Sequence, residues 1–128
     1  MAIFVSLGPG SPVTISYILG GHDNIIRVSY NMLYSPQELA WTNAGGTWWD
    51  SVAFFEEDDV DDDWLFNFQP RLFQPRSRVE TRTFDVVPTE DWDTELGSEE
   101  IRAYVHHRRN DGVSDSIIEK SFRLDVSL

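Results

Sequence analysis

The segment IIRVSYNMLY, residues 25–34, sets Ile26, Val28, Tyr30, Met32 and Tyr34 on one side and Arg27, Ser29 and Asn31 on the other. A period of two fits an extended strand with one buried face, whereas a helix of period 3.6 would scatter the same residues around its surface. The pattern recurs. VTISYILGG aligns Val13, Ile15, Tyr17 and Leu19, and EEIRAYVHHRR sets Ile101, Ala103 and Val105 against Arg102, Tyr104 and His106. At the end of the chain Ile118, Phe122, Leu124, Val126 and Leu128 share one face, with Glu119, Ser121, Arg123, Asp125 and Ser127 opposite. Lys120 is the exception, near the start of that strand, where a long stem can snorkel. Weaker alternation over 2–7, 48–56, 64–73 and 78–87 brings the expected number of strands to about eight.

Short turns at this spacing predict an all-β fold. An antiparallel Greek-key β-sandwich of immunoglobulin-like type is the first choice and a closed barrel the second. One helical signal interrupts the pattern: in SPQELAW, Ser35 stands as N-cap, Pro36 at the first helical position and Glu38 at the third. That is a capping box, enough for a turn or two near 35–41, and it reads as a crossover between sheets. FQPR occurs at 68–71 and again at 73–76, and Pro70 and Pro75 predict an edge strand or a broken one. The 128 residues, 41% hydrophobic and 13% aromatic, fit a single domain over 1–128 with one core.

Antiparallel order assigns each connection to a pole, because successive connections must alternate between the two ends. The turns at 20–24, 57–63 and 88–100 then share one end. GPGSP at 8–12, the crossover at 35–47, QPRSR at 74–78 and NDGVSD at 110–115 share the other. The first pole carries most of the clustered acid, and the second carries Arg76 and Arg78 with Arg108 and Arg109 close by.

Residues 56–63, EEDDVDDD, place seven carboxylates in eight positions between aromatic runs. Calcium takes six to eight oxygens, and loops at one end of a sandwich can supply them. The candidate ligands are Asp58, Asp59, Asp61 and Asp63, with Asp91 and Asp93 from a second loop, and Ca2+ is the one cofactor candidate. An EF-hand is excluded: a loop starting at Asp59 has Trp64 where glycine is required and Pro70 where glutamate is required. The same run also suits a solvated tip that keeps AFF and WLFNF from pairing edge to edge with another molecule.

Trp48 and Trp49 are adjacent and must face opposite sides of a strand, so one of them is expected at the surface. Together with Trp64 and Trp92 they are the candidate binding residues, since an exposed indole can stack on a sugar or anchor a protein interface. His106 and His107, also neighbours on a strand, cannot both ligate one ion, while His22 in the GGHDN turn can join the acidic pole.

The net charge of −12 works against binding to nucleic acid or to an anionic membrane, both of which rely on clustered lysine and arginine. The absence of cysteine excludes a disulfide framework, a thiolate zinc site and a cysteine nucleophile. MAIFVSLGPG lacks the basic and apolar parts of a secretory signal, and no apolar run approaches roughly 20 residues, so a soluble cytoplasmic protein is expected. No nucleophile elbow, zinc-protease pair, P-loop or dinucleotide fingerprint occurs. The expected function is a non-enzymatic interaction or assembly module that presents its acidic pole to a basic protein partner or to its own neighbour. The alternative is a calcium-dependent sandwich that binds a small ligand or carbohydrate through acidic loops and an exposed tryptophan.

Overall fold

Alternation becomes burial along the central strands: Ile26, Val28, Tyr30 and Met32 are fully buried, and so are every second residue from Trp48 to Glu56 and from Glu99 to His107. The computed structural model describes residues 2–6, 12–20, 24–57, 63–89, 92, 99–110, 116–121 and 124–126, with the backbone alone at 63, 116–120 and 126. Its elements are β1 (Ile3–Phe4), β2 (Val13–Ile18), β3 (Ile25–Leu33), α1 (Pro36–Asn43), β4 (Trp48–Glu56), β5 (Asp63–Asn67), β6 (Arg71–Phe73), β7 (Val79–Val86), β8 (Glu99–Arg109), β9 (Ser116–Lys120) and β10 (Leu124–Val126).

These segments form two antiparallel sheets packed as a sandwich. Three rows are split end to end. β1 and β2 both run antiparallel to β3, β5 and β6 both antiparallel to β4, and β9 and β10 both antiparallel to β8. Sheet A is therefore β1/β2, β3, β7, and sheet B is β9/β10, β8, β4, β5/β6. Written as rows in chain order, the first, second and fifth face the seventh, sixth, third and fourth, the Greek-key order of immunoglobulin-like sandwiches with the fourth row on the sheet of the third.

Segments 2–7 and 13–19 are not successive antiparallel strands, as the count of eight required. β1 and β2 run the same way along one edge of β3, because β1 pairs with Met32 and Leu33 while β2 pairs with residues 25–30. GPGSP thus separates two parts of one row, and its residues 8–11 lie outside the described residues. The polar grouping of the later connections is unaffected, since this correction falls before the first reversal. Tyr34 N donates to Arg78 O (2.8 Å), Gln74 Nε2 to Gly46 O (3.1 Å) and Asn110 N to Thr47 O (2.9 Å), which gathers the helix and the arginine-bearing turns at one end. At the other end Glu57 N donates to Glu100 O (2.7 Å), and Glu56 pairs with Asp63.

The crossover is the expected one. Ser35 Oγ accepts from Glu38 N (3.2 Å), and Glu38 Oε1 accepts from Ser35 N (2.9 Å). Burial is the largest influence on Glu38 and works against its charge, but hydrogen bonds with Ser35 and the attraction of the chain's amino terminus together lower its pKa. After α1 the chain turns through Gly45, whose φ of +107° disfavours any side chain. Gly46 then lies so close to the Trp41 indole that a β-carbon there would overlap the ring.

Aromatic rings bridge the sheets: Tyr30 stacks on Phe84 (6.2 Å between centroids), Phe84 meets Phe68 (5.3 Å), Phe68 meets Phe54 (6.1 Å) and Phe54 meets Trp92 (5.4 Å). Each such ring contributes about 1.5–3 kcal/mol through removal from water. Beside them lies a buried polar network. Asp50, fully buried on β4, accepts from Arg82 Nε of β7 (2.8 Å) and from His107 Nδ1 of β8 (2.5 Å), while His107 Nε2 meets the Tyr34 hydroxyl (3.1 Å). Because Nδ1 faces a carboxylate it carries a proton. Burial, reinforced by the Asp50 charge, pushes the Tyr34 hydroxyl far above its ordinary range, so it remains a donor. Trp48 stacks on the imidazole at 4.9 Å.

Removing one member of a buried charged pair leaves the other uncompensated. Asp50→Ala is expected to cost about 3–5 kcal/mol in urea denaturation. Asp85→Asn, which removes the exposed partner of Arg27, is expected to leave the midpoint almost unchanged.

Candidate interaction surface

The outward positions of sheets A and B differ in chemistry. On sheet A, the register puts Arg27 opposite Asp85, Ser29 opposite Thr83 and Asn31 opposite Thr81. Each pair bonds to itself: Arg27 Nε and Nη2 donate to Asp85 (2.8 and 2.9 Å), Ser29 and Thr83 share a hydrogen bond (3.1 Å), and Thr81 Oγ1 donates to Asn31 (2.7 Å). This ladder of polar pairs belongs to a solvated face.

On sheet B, the odd residues of β4 point outward, namely Trp49, Ser51, Ala53 and Phe55, beside the even residues Arg102, Tyr104, His106 and Arg108 of β8. A bulge completes the face. Phe54 pairs with Phe66 and Phe55 with Trp64, so Leu65 is an extra residue in β5, and the slip brings Trp64 to the same side as Asn67. Trp64 Nε1 donates to Asn67 Oδ1 (2.9 Å), which fixes the indole at the surface, 59% exposed. Leu72 on β6 pairs with Trp49 and is half exposed. Phe55 and Tyr104 meet edge to face at 5.0 Å. Two arginines close the ends: Arg102 is bound to Glu57 (2.7 Å) and to Ser121 O (3.1 Å), and Arg108 lies over the Trp49 ring (5.7 Å).

A groove of about 450 Å3 opens in this face where β5 gives way to β6, lined by Ser51, Ala53, Phe55, Asn67, Phe68, Pro70, Tyr104 and His106. Pro70 explains the break, since it has no amide hydrogen to continue the ladder with β4. The sequence expectation of a broken edge strand is met, and its consequence is the concavity. Burial, with Arg108 and His107 adding to it, lowers the His106 pKa below its ordinary value, so this ring is neutral at pH 7.

The four tryptophans divide as follows. Trp48 and Trp92 are 1% and 2% exposed and offer no face to a ligand; their role in the core corrects the expectation of binding. Trp49 and Trp64 share the outer face of sheet B, and the adjacent pair 48/49 does face opposite sides. Asp58, Asp59, Asp61, Asp91 and Asp93 lie outside the described residues, as does His22, and Asp63 is described by its backbone alone. Among the described residues no group of three or more His, Asp or Glu is placed to hold a metal ion, and no helix is long and apolar enough to cross a membrane. The Asp50–His107–Tyr34 relay has the order of a catalytic one, but Asp50 and His107 are 0% exposed and no substrate reaches them.

Phe55, Asn67, Tyr104 and His106 escaped the sequence reading. One signal was present: in WWDSVAFFE the charged Asp50 shares its side with Val52 and Phe54, so apolar residues are left over for both faces. No protein-family model matches the chain, and no curated relative matches it.

A histidine whose pKa is lowered by folding contributes stability that is present above its unfolded value, about 6.5, and lost as pH falls. His106→Gln is therefore expected to narrow the difference in thermal midpoint between pH 7.5 and 5.5 relative to the parent chain. An identical pH dependence in both proteins would contradict the lowered pKa.

Proposed function

We propose that this protein is a non-enzymatic interaction module that docks a basic protein surface against the outer face of sheet B. The observation that carries this reading is the contrast between the centres of the faces: sheet A presents self-satisfied polar pairs there, with half-exposed Ile3 and Val79 only at one end, whereas sheet B presents Trp49, Phe55, Trp64, Leu72 and Tyr104. Aromatic residues framed by arginine are the composition of interface centres. Phe55 and Trp64 also flank the acidic run 57–63 in sequence, and its charge favours a basic partner. Charge then decides between partners. Two copies at −12 each repel one another, while a basic surface is drawn to the chain.

The test is capture from a native extract at low salt, comparing the parent chain with Phe55→Ser/Trp64→Ser and with a variant whose Asp58, Asp59, Asp61 and Asp62 are asparagine. A basic protein held by the parent, lost from the face variant and weakened with a reduced salt dependence in the asparagine variant is the expected result. Equal capture by the face variant would sink the proposal. Capture that requires calcium and is abolished by EDTA would favour the calcium-dependent alternative.

A further inference from the structure

We propose that the groove in sheet B is itself a binding site for a small, uncharged, planar ring compound carrying a carbonyl acceptor, with an aromatic carboxamide as its simplest member. This goes beyond the docking of a basic partner and does not depend on it. The groove, at about 450 Å3, falls in the range of small-ligand pockets, roughly 300–1,000 Å3, which are largely apolar with a few placed polar groups. Phe55 and Tyr104, held edge to face, together with Pro70 and Ala53 supply apolar walls suited to a flat ring.

The polar groups define the rest of the ligand. Asn67 Oδ1 is occupied by the Trp64 indole, which orients the amide and leaves its Nδ2 hydrogens as donors. A ligand group near Asn67 must therefore accept. His106 lines the same groove, and because its Nε2 is shielded from solvent the ring adds to the wall while Asn67 supplies the hydrogen-bonding group. A carboxamide oxygen accepts from Asn67, while the carboxamide nitrogen keeps its donors hydrated at the mouth of the groove. Among the described residues no charged side chain lines the groove, and an ionised ligand would lose hydration there without a counter-ion from them.

The experiment is a titration of the intact 15N-labelled chain with benzamide up to about 10 mM, a range suited to the roughly millimolar dissociation constant of so small a ligand. Saturable amide shifts confined to residues 51–55, 67–69 and 104–106 are expected. Ala53→Trp, which fills the groove from an outward position, should abolish them, and Asn67→Leu should weaken binding by about three- to tenfold. If Ala53→Trp does not fold, Asn67→Leu on the exposed edge row decides. Absence of saturable shifts, shifts unaltered by the folded variants, or equal binding of benzoate or a methyl glucoside would each overturn the assignment.

Discussion

Asp50 is the constraint around which this sandwich is arranged. A carboxylate with no exposed surface is tolerated only when its oxygens are occupied, and here the partners come from β7 in sheet A and β8 in sheet B. The contact therefore sets the distance and rotation between the sheets as well as neutralising a charge. Arg82 reaches it while lying over the Phe73 ring at 4.0 Å, and His107 while stacked on Trp48, so aromatic surfaces hold both donors in place. Tyr34 extends the network to the end of β3, where the helix begins. The pole that carries α1 is thus fixed from within, and neighbouring core rings can pack without accommodating an orphaned charge.

With two charged groups, Asp50 and Glu56, on the inward side of β4, the outward side holds more apolar surface than an alternating strand ordinarily shows. The bulge at Leu65 and the break at Pro70 shape that surface, the first by turning Trp64 outward and the second by opening a concavity beside Phe55. The devices that disrupt an edge row, and so discourage strand addition, here also build the candidate site. The centre of sheet A, with its paired polar residues, needs no such explanation.

Much of the architecture was legible because alternation reports a face directly. The assignments over 25–34 and 101–105 needed nothing beyond the period, and the capping box at Ser35 located the crossover. The count of strands failed at GPGSP because a glycine- and proline-rich stretch looks the same whether it reverses a chain or interrupts a row; only the pairing of both β1 and β2 with β3 distinguishes them. The inward turn of Asp50 was illegible for a similar reason. Its partners lie 32 and 57 positions away, so the local pattern gives no hint that a carboxylate belongs inside. The groove draws on three rows and a bulge, and of its surroundings only Trp49 and Trp64 stood out, by residue type alone.

The distribution of tryptophans also makes the molecule its own optical instrument. Trp48 and Trp92 are buried away from water, where indole emission is shifted to the blue, while Trp64 meets water and emits to the red. Loss of tertiary packing moves the first population, whereas anything that settles on the outer face of sheet B moves the second with the core signal unchanged. Occupancy and unfolding can therefore be told apart in one spectrum without attaching a label.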